Sequence, residues 1–277
     1  MNGTSRFLVC ESREIHFTEW GSGAEALIMW HGLARTGRDF DDCARHFAQH
    51  YRVICPDTLG RGRSQWAADA KAEYCFDFYG RIAVSLLDQL GITNMRWIGT
   101  SMGGLIGVNL AAGALKGRIT HLVMNDVGPD IPLAAVDRIS SYVGQPPVFD
   151  TMAELEDWFR TVYAPFGDNP DAFWQLLTAT SYRRTDDGRM TVHYDPQIVS
   201  QFTEHEGDLD VWPAFDACVC PVLLLRGADS DVLPASVAAD MTGRGPKARL
   251  VEFPGYGHAP TLNQPDQLAV IEEFLAG

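Results

Sequence analysis

Ile98-Gly99-Thr100-Ser101-Met102-Gly103-Gly104 is the stretch on which the reading of this chain turns. Met95–Ile98 ahead of it has strand character, and the residues from Met102 to Ala114 read as a helix. A strand that passes into a helix through a single serine needs a very tight turn, and that turn lifts the hydroxyl above the sheet. Glycine at 99 and 103 keeps such a turn free of side-chain clashes. The helix that begins there aims free N–H groups and the positive end of its dipole at the same point. Ser101 is therefore the expected nucleophile. The backbone N–H of Met102 is an expected donor to the oxyanion that its attack creates.

Working outward, strand and helix alternate. On the N-terminal side, residues 7–20 read as an antiparallel hairpin ending in Gly21-Ser22-Gly23. Ala26–Trp30 is a buried strand that stops at His31-Gly32, a helix lies near Asp41–Gln49, and Arg52–Cys55 is the next strand. Tyr79, Ile82, Ala83, Leu86, Leu87 and Leu90 share one helical face, closed by Gly91. On the C-terminal side, Ile119–Asn125 is a strand. The rhythm returns with strand Val222–Leu225, a helix near Ala235–Met241 and strand Arg249–Phe253. The last helix opens around Asn263 and Pro265 and buries Leu268, Ile271 and Leu275. This alternation predicts a mostly parallel sheet with helices on both faces.

The interval 130–210 breaks the alternation. It is rich in aromatics, and its period is helical at Leu155, Trp158, Phe159 and Val162. It reads as a helical cap inserted between two parts of one core, residues 1–129 and 211–277. Its aromatics line an apolar substrate pocket or form the cap's own core.

A serine hydroxyl is a poor nucleophile without a base. His258 lies in Gly255-Tyr256-Gly257-His258-Ala259-Pro260, a loop between the last strand and the last helix that suits a reach over the sheet edge. The other histidines are less well placed. His46, His50 and His121 lie in or beside regular elements, His193 and His205 in the insertion, and His16 in the hairpin. The base needs a carboxylate to fix its tautomer. The loop Arg226-Gly227-Ala228-Asp229-Ser230-Asp231 offers two. Asp231 is preferred over Asp229, because the loop must turn back before its acid reaches the histidine. Asp126, at the end of an earlier strand, is a third candidate. A second oxyanion donor is expected from His31-Gly32-Leu33, namely the N–H of Leu33.

Composition narrows the partners. Of the 277 residues, 46% are hydrophobic and 21% charged, an ordinary globular balance. A net charge of −14 repels phosphate backbones and anionic lipid heads, so nucleic acid and membranes are not expected partners. No apolar run approaches the length that spans a bilayer. The N-terminus lacks the basic stretch and apolar run of a secretory leader. Cys10, Cys43, Cys55, Cys75, Cys218 and Cys220 show neither a zinc spacing nor a disulfide framework. They read as buried thiols in a reducing cytoplasm. No metal or organic cofactor is implied.

Taken together, these pieces resemble the α/β-hydrolase superfamily, in the branch with a helical cap inserted after the sixth strand. The resemblance runs over nearly the whole chain. It rests on His31-Gly32-Leu33, Asp57-Thr58-Leu59-Gly60-Arg61-Gly62-Arg63-Ser64, the Ser101 turn, Asn125-Asp126-Val127-Gly128-Pro129, Arg226–Leu233 and Gly257-His258. It implies an α/β fold with a mostly parallel eight-stranded sheet, helices on both faces, and a Ser101, Asp231, His258 triad acting on a small-molecule ester through an acyl-enzyme. Similar proteins with an Arg-Gly-x-x-Ser-Asp loop use the aspartate after the serine, which supports Asp231. The more usual spacing places the acid where Ser230 stands, which keeps Asp229 open. Serine at 101 argues against the dehalogenases and epoxide hydrolases, whose nucleophile is aspartate. Relatives that cleave carbon–carbon bonds often carry tryptophan just after the base histidine. Ala259-Pro260 stands there and favours ester hydrolysis. Lactone, thioester and carbon–carbon hydrolysis on the same triad stay open, as does a ligand sensor with vestigial hydrolysis.

Overall fold

The computed structural model describes residues 2–277. Strands β1 (Thr4–Cys10) and β2 (Arg13–Trp20) form the leading hairpin. Then come β3 (Glu25–Trp30), α1 (Asp41–Phe47), β4 (Tyr51–Pro56), α2 (Ala70–Glu73), α3 (Phe76–Gln89), β5 (Met95–Thr100), α4 (Met102–Ala112) and β6 (Ile119–Asn125). An insertion follows, with α5 (Leu133–Val143), β7 (Val148–Phe149), α6 (Met152–Val162), α7 (Asp171–Thr180), β8 (Tyr182–Arg184), β9 (Met190–Val192) and α8 (Ser200–Thr203). The chain closes with α9 (Trp212–Ala217), β10 (Val222–Gly227), α10 (Ala235–Gly243), β11 (Arg249–Phe253) and α11 (Pro265–Ala276).

Eight strands make one sheet in the order β1-β2-β4-β3-β5-β6-β10-β11. The hairpin and the β2–β4 pair are antiparallel, and the remaining pairs are parallel. Two-residue alternation divides the side chains between the faces. Leu27, Met29, Ile98, Val123, Leu223 and Leu225 pack with Phe47, Ile271 and Leu275 of α1 and α11. Ile28, Trp30, Trp97, Leu122, Met124 and Leu224 pack with α3 and α4 on the other side. Both faces are covered, so the central strands are apolar throughout, and every residue of β10 is buried. Register brings the strand ends level: Thr100 stands opposite Asn125, and Asn125 opposite Leu225. The loops leaving β5, β6 and β10 therefore emerge side by side at the carboxyl edge, where open α/β sheets place their ligands.

The insertion is not helical throughout. β7, β9 and β8 form a small antiparallel sheet, with Val148 and Arg183 both paired to Thr191. Its strands of two and three residues are too short to show a period of two in the sequence. Helix α6 starts with a capping box in which Thr151 and Glu154 satisfy each other's backbone N–H. Most of the aromatics pack ring against ring, through Phe149, Trp158, Phe159, Tyr163, Phe166, Phe173 and Trp174. Among the described residues, no helix is long and apolar enough to cross a membrane. All six cysteines are buried and unbridged.

Candidate active site

Ser101 follows β5 directly, at φ 52° and ψ −121°, a backbone conformation that non-glycine residues rarely adopt. Its N–H donates to the carbonyl of Asn125 at 2.9 Å, and its carbonyl accepts from Gly104 N at 2.8 Å. The glycines around it are dictated by contact. A Cβ on Gly103 would stand 2.0 Å from the Trp30 carbonyl oxygen, and one on Gly99 would stand 2.2 Å from the Gly103 carbonyl. The turn is wedged between β3 and α4 and admits no side chain at either place.

Ser101 Oγ lies 2.9 Å from His258 Nε2. On the other side of the ring, His258 Nδ1 lies 2.7 Å from Asp126 Oδ2. Asp126 is fully buried. Its Oδ1 accepts the Gly227 N–H at 2.7 Å, and its Oδ2 also accepts the Ser230 hydroxyl at 2.6 Å. Both carboxylate oxygens are thus held by donors.

The expected partner of the histidine is corrected here. Asp231 does not face His258. It is half exposed and accepts two hydrogen bonds from Arg138 of α5, from Nε at 2.7 Å and Nη2 at 3.0 Å. Asp229 is exposed as well. The reason is the strand order. β6 and β10 are parallel neighbours, so the turns that follow them reach the same point in space. The loop after β10 supplies only a hydroxyl there, that of Ser230. The carboxylate that meets the His258 ring is instead Asp126, directly after the adjacent strand. The sequence carried a signal for this arrangement: a serine at the usual acid position, and an aspartate directly after the preceding strand.

The loop after β3 is fixed by His31 and Arg61. His31 is fully buried. Its Nε2 accepts the Thr58 N–H at 2.9 Å, which leaves the proton on Nδ1, 2.7 Å from the Gly32 carbonyl oxygen. Burial pushes the His31 pKa down to about 4, so the ring is neutral, as this tautomer requires. Arg61, also fully buried, donates to the carbonyls of Leu33 at 2.8 Å and Leu59 at 2.7 Å. Gly32 brings this loop against the serine, since a Cβ on it would stand 3.5 Å from Ser101 Cβ. Leu33 follows it and is buried. Met102, also buried, is the first residue of α4, where backbone N–H groups have no partner within the helix.

The insertion touches the loop that carries His258. The Gly257 N–H donates to the Pro165 carbonyl at 2.8 Å, which ties the histidine loop to the segment after α6. A cleft runs between Gly32, Thr100 and Pro260 on the sheet side and Phe166, Phe173 and Leu177 on the other, with Arg38, Asp39, Asp41 and Asp42 also in its lining; it adjoins the residues next to Ser101 and His258 without including either. Among the described residues, no group of three or more His, Cys, Asp or Glu side chains is set to hold a metal ion.

A second chain of the same kind occurs at the hairpin. Ser5 Oγ lies 2.7 Å from His16 Nε2, and His16 Nδ1 lies 2.7 Å from Asp57 Oδ2.

The profile of the alpha/beta hydrolase fold family matches residues 25–265. The chain is 41% identical over 272 residues to the 3-hydroxybutyrate-oligomer hydrolase of Cupriavidus necator, covering 94% of this chain and 92% of that protein. It is 27% identical to the 2-hydroxymuconate semialdehyde hydrolase of Pseudomonas putida, covering 92% and 88%. An α/β hydrolase of known structure from Novosphingobium aromaticivorans superposes with a TM-score of 0.89 at 35% identity, covering 99% of this chain and 98% of that one. The chain belongs to the α/β-hydrolase family.

Proposed function

We propose that this α/β-hydrolase cleaves carboxylic esters through an acyl-enzyme on Ser101, with His258 as the base and Asp126 as the carboxylate that orients it. The observation that carries the reading is the unbroken chain from Ser101 Oγ to His258 at 2.9 Å and from His258 to Asp126 at 2.7 Å, at the start of a helix.

His258 Nε2 takes the hydroxyl proton as Ser101 Oγ attacks the acyl carbon. The oxyanion of the tetrahedral intermediate accepts the N–H groups of Met102 and Leu33. As the intermediate collapses, His258 gives its proton to the leaving alcohol. It then takes a proton from water, the hydroxide attacks the acyl-enzyme, and the acid departs as Ser101 Oγ regains its proton. Asp126 stays ionised throughout, holds the Nδ1–H tautomer and stabilises the imidazolium.

Residues 130–210 act in this reading as a cap that excludes water from the cleft. The substrate is a small or medium-sized apolar ester, and oligomers of 3-hydroxybutyrate are the first natural candidates, from the name of the Cupriavidus relative. The six unbridged cysteines fit work in a reducing cytoplasm. The test is steady-state hydrolysis of p-nitrophenyl esters from acetate to long acyl chains, with the 3-hydroxybutyrate dimer, for wild type and Ser101→Ala. Sustained turnover that the variant loses is the expected result. A single burst, or no turnover of any ester, overturns the reading in favour of a sensor or a carbon–carbon hydrolase.

A further inference from the structure

Asn125 closes the buried run Leu122-Val123-Met124-Asn125 of β6 and is itself fully buried. A carboxamide at the end of an apolar strand is costly to bury unless its donors are used. Two-residue alternation puts Val123 and Asn125 on the same face as Ile98 and Thr100 of the neighbouring strand, the face covered by α1 and α11.

The polar atoms of Asn125 reach both sides of the site. Its backbone carbonyl accepts the Ser101 N–H at 2.9 Å. Its Nδ2 donates to Thr100 Oγ1 at 3.0 Å and to the Pro260 carbonyl at 2.9 Å. A carbonyl oxygen can only accept, so the end of the amide turned to Pro260 is the NH2 group. The serine, the residue before it and the residue two places after His258 are thus bonded to one side chain and its backbone. The next residue in the chain is Asp126.

The Pro260 contact matters because little else directs that stretch. Ahead of His258, the Gly257 N–H is held by the Pro165 carbonyl. Behind it, among the described residues, 259–262 make no backbone–backbone hydrogen bond. Thr261 Oγ1 reaches only Asn263 in the same loop, at 2.7 Å. Leu262 is buried on the α11 side, but apolar contact has no preferred direction. The Asn125 amide is therefore the hydrogen bond that sets the course of the backbone as it leaves His258.

Resting on the reading of Ser101 as nucleophile and His258 as base, we propose that Asn125 is a positioning residue. Its amide holds the histidine loop in register with the Ser101 turn, so that Nε2 meets the hydroxyl while Nδ1 meets Asp126. It acts through Pro260 and touches no reacting atom. Misplacing a reacting group by about 1 Å can cost about 10²-fold in rate.

Asn125→Leu keeps much of the side chain's shape and removes the donor. It should lower kcat on p-nitrophenyl butyrate by about 10²-fold per folded molecule, with KM within about twofold. A merely structural role would shift the urea midpoint and leave kcat per folded molecule at the wild-type value, and that result overturns the proposal. Asn125→Ser, whose hydroxyl is one atom too short to reach Pro260 in the same way, carries the same expectation where the leucine variant does not fold. The tautomer of the neutral His258 ring, read from its ring nitrogen chemical shifts in Ser101→Ala, needs no turnover. Adding Asn125→Leu should change a single Nδ1–H tautomer into a mixture. That change supports the positioning role even if wild type hydrolyses no ester, and the hydrolase reading alone then falls. An unchanged tautomer overturns the role even if wild type is an active esterase.

Discussion

Two places in this molecule link a serine hydroxyl, an imidazole and a buried carboxylate, and their bond lengths do not tell them apart. The Ser101–His258–Asp126 chain has distances of 2.9 and 2.7 Å, and the Ser5–His16–Asp57 chain has 2.7 Å at both steps. What differs is the surroundings. Ser101 stands at a strained turn before an eleven-residue helix, with the Gly32 loop against its Cβ. Ser5 lies on the outermost strand, in register with Thr18, and its hydroxyl also accepts a hydrogen bond from Arg63 Nη1 at 2.9 Å. No helix begins at Ser5, so no helix N-terminus faces its hydroxyl. Asp57 is engaged elsewhere too, accepting the N–H of Gly37 at 2.8 Å and of Arg63 at 2.9 Å. It ties the hairpin to the loops after β3 and β4. A relay of donors and acceptors therefore makes a nucleophile only where oxyanion donors and an open approach accompany it. The same relay elsewhere is a structural knot.

The largest effect should separate the two serines. Ser101→Ala is expected to lower kcat on p-nitrophenyl butyrate by on the order of 10⁶-fold, as for the nucleophile in a worked protease. Ser5→Ala should stay within about twofold, because a part-exposed hydroxyl away from the reacting atoms contributes little. A comparable loss in both would break the contrast. Next, Asp126→Asn should cost about 10⁴-fold in kcat by disturbing the histidine tautomer. Asp231→Asn, which loses only an exposed pair with Arg138, should change kcat by no more than about twofold. Equal losses, or the reverse order, would return the acid to the loop after β10. Ser230→Ala removes one donor from the Asp126 carboxylate and should lower kcat about tenfold, with little change in KM. An unchanged pH–rate profile together with unchanged kcat would show that Ser230 does nothing for the histidine.

The last contrast is in stability rather than catalysis and belongs to the hairpin relay. Asp57→Asn is expected to lower stability by about 1–3 kcal/mol in urea denaturation and to leave kcat within about threefold. Burial would raise the Asp57 carboxyl pKa, but the His16 ring and the Arg63 N–H hold it below its ordinary value. A depressed folded pKa means that the stabilisation is complete above the unfolded carboxyl value, near about 3.9, and is lost as pH falls through the lower folded one. The stability gap between wild type and Asp57→Asn should accordingly narrow below about pH 4. A gap that stays constant into that range would deny Asp57 its ionised role.

Much of the fold was legible because its signals are local. Alternating strand and helix patterns marked the elements along the chain, and the glycines at 99 and 103 marked the turn that the Trp30 carbonyl makes obligatory. His258 stood out by its loop. The small sheet in the insertion was not legible, because strands of two and three residues show no period.

Ser101 and the strand-to-helix turn that presents it were determined by the sequence itself, since backbone freedom at glycine and hydrophobic period act over a few residues. Which carboxylate serves His258 was decided only by the tertiary structure. Asp126 and Ser230 meet because β6 and β10 lie side by side with Asn125 opposite Leu225, and strand adjacency is a product of packing that no local pattern records.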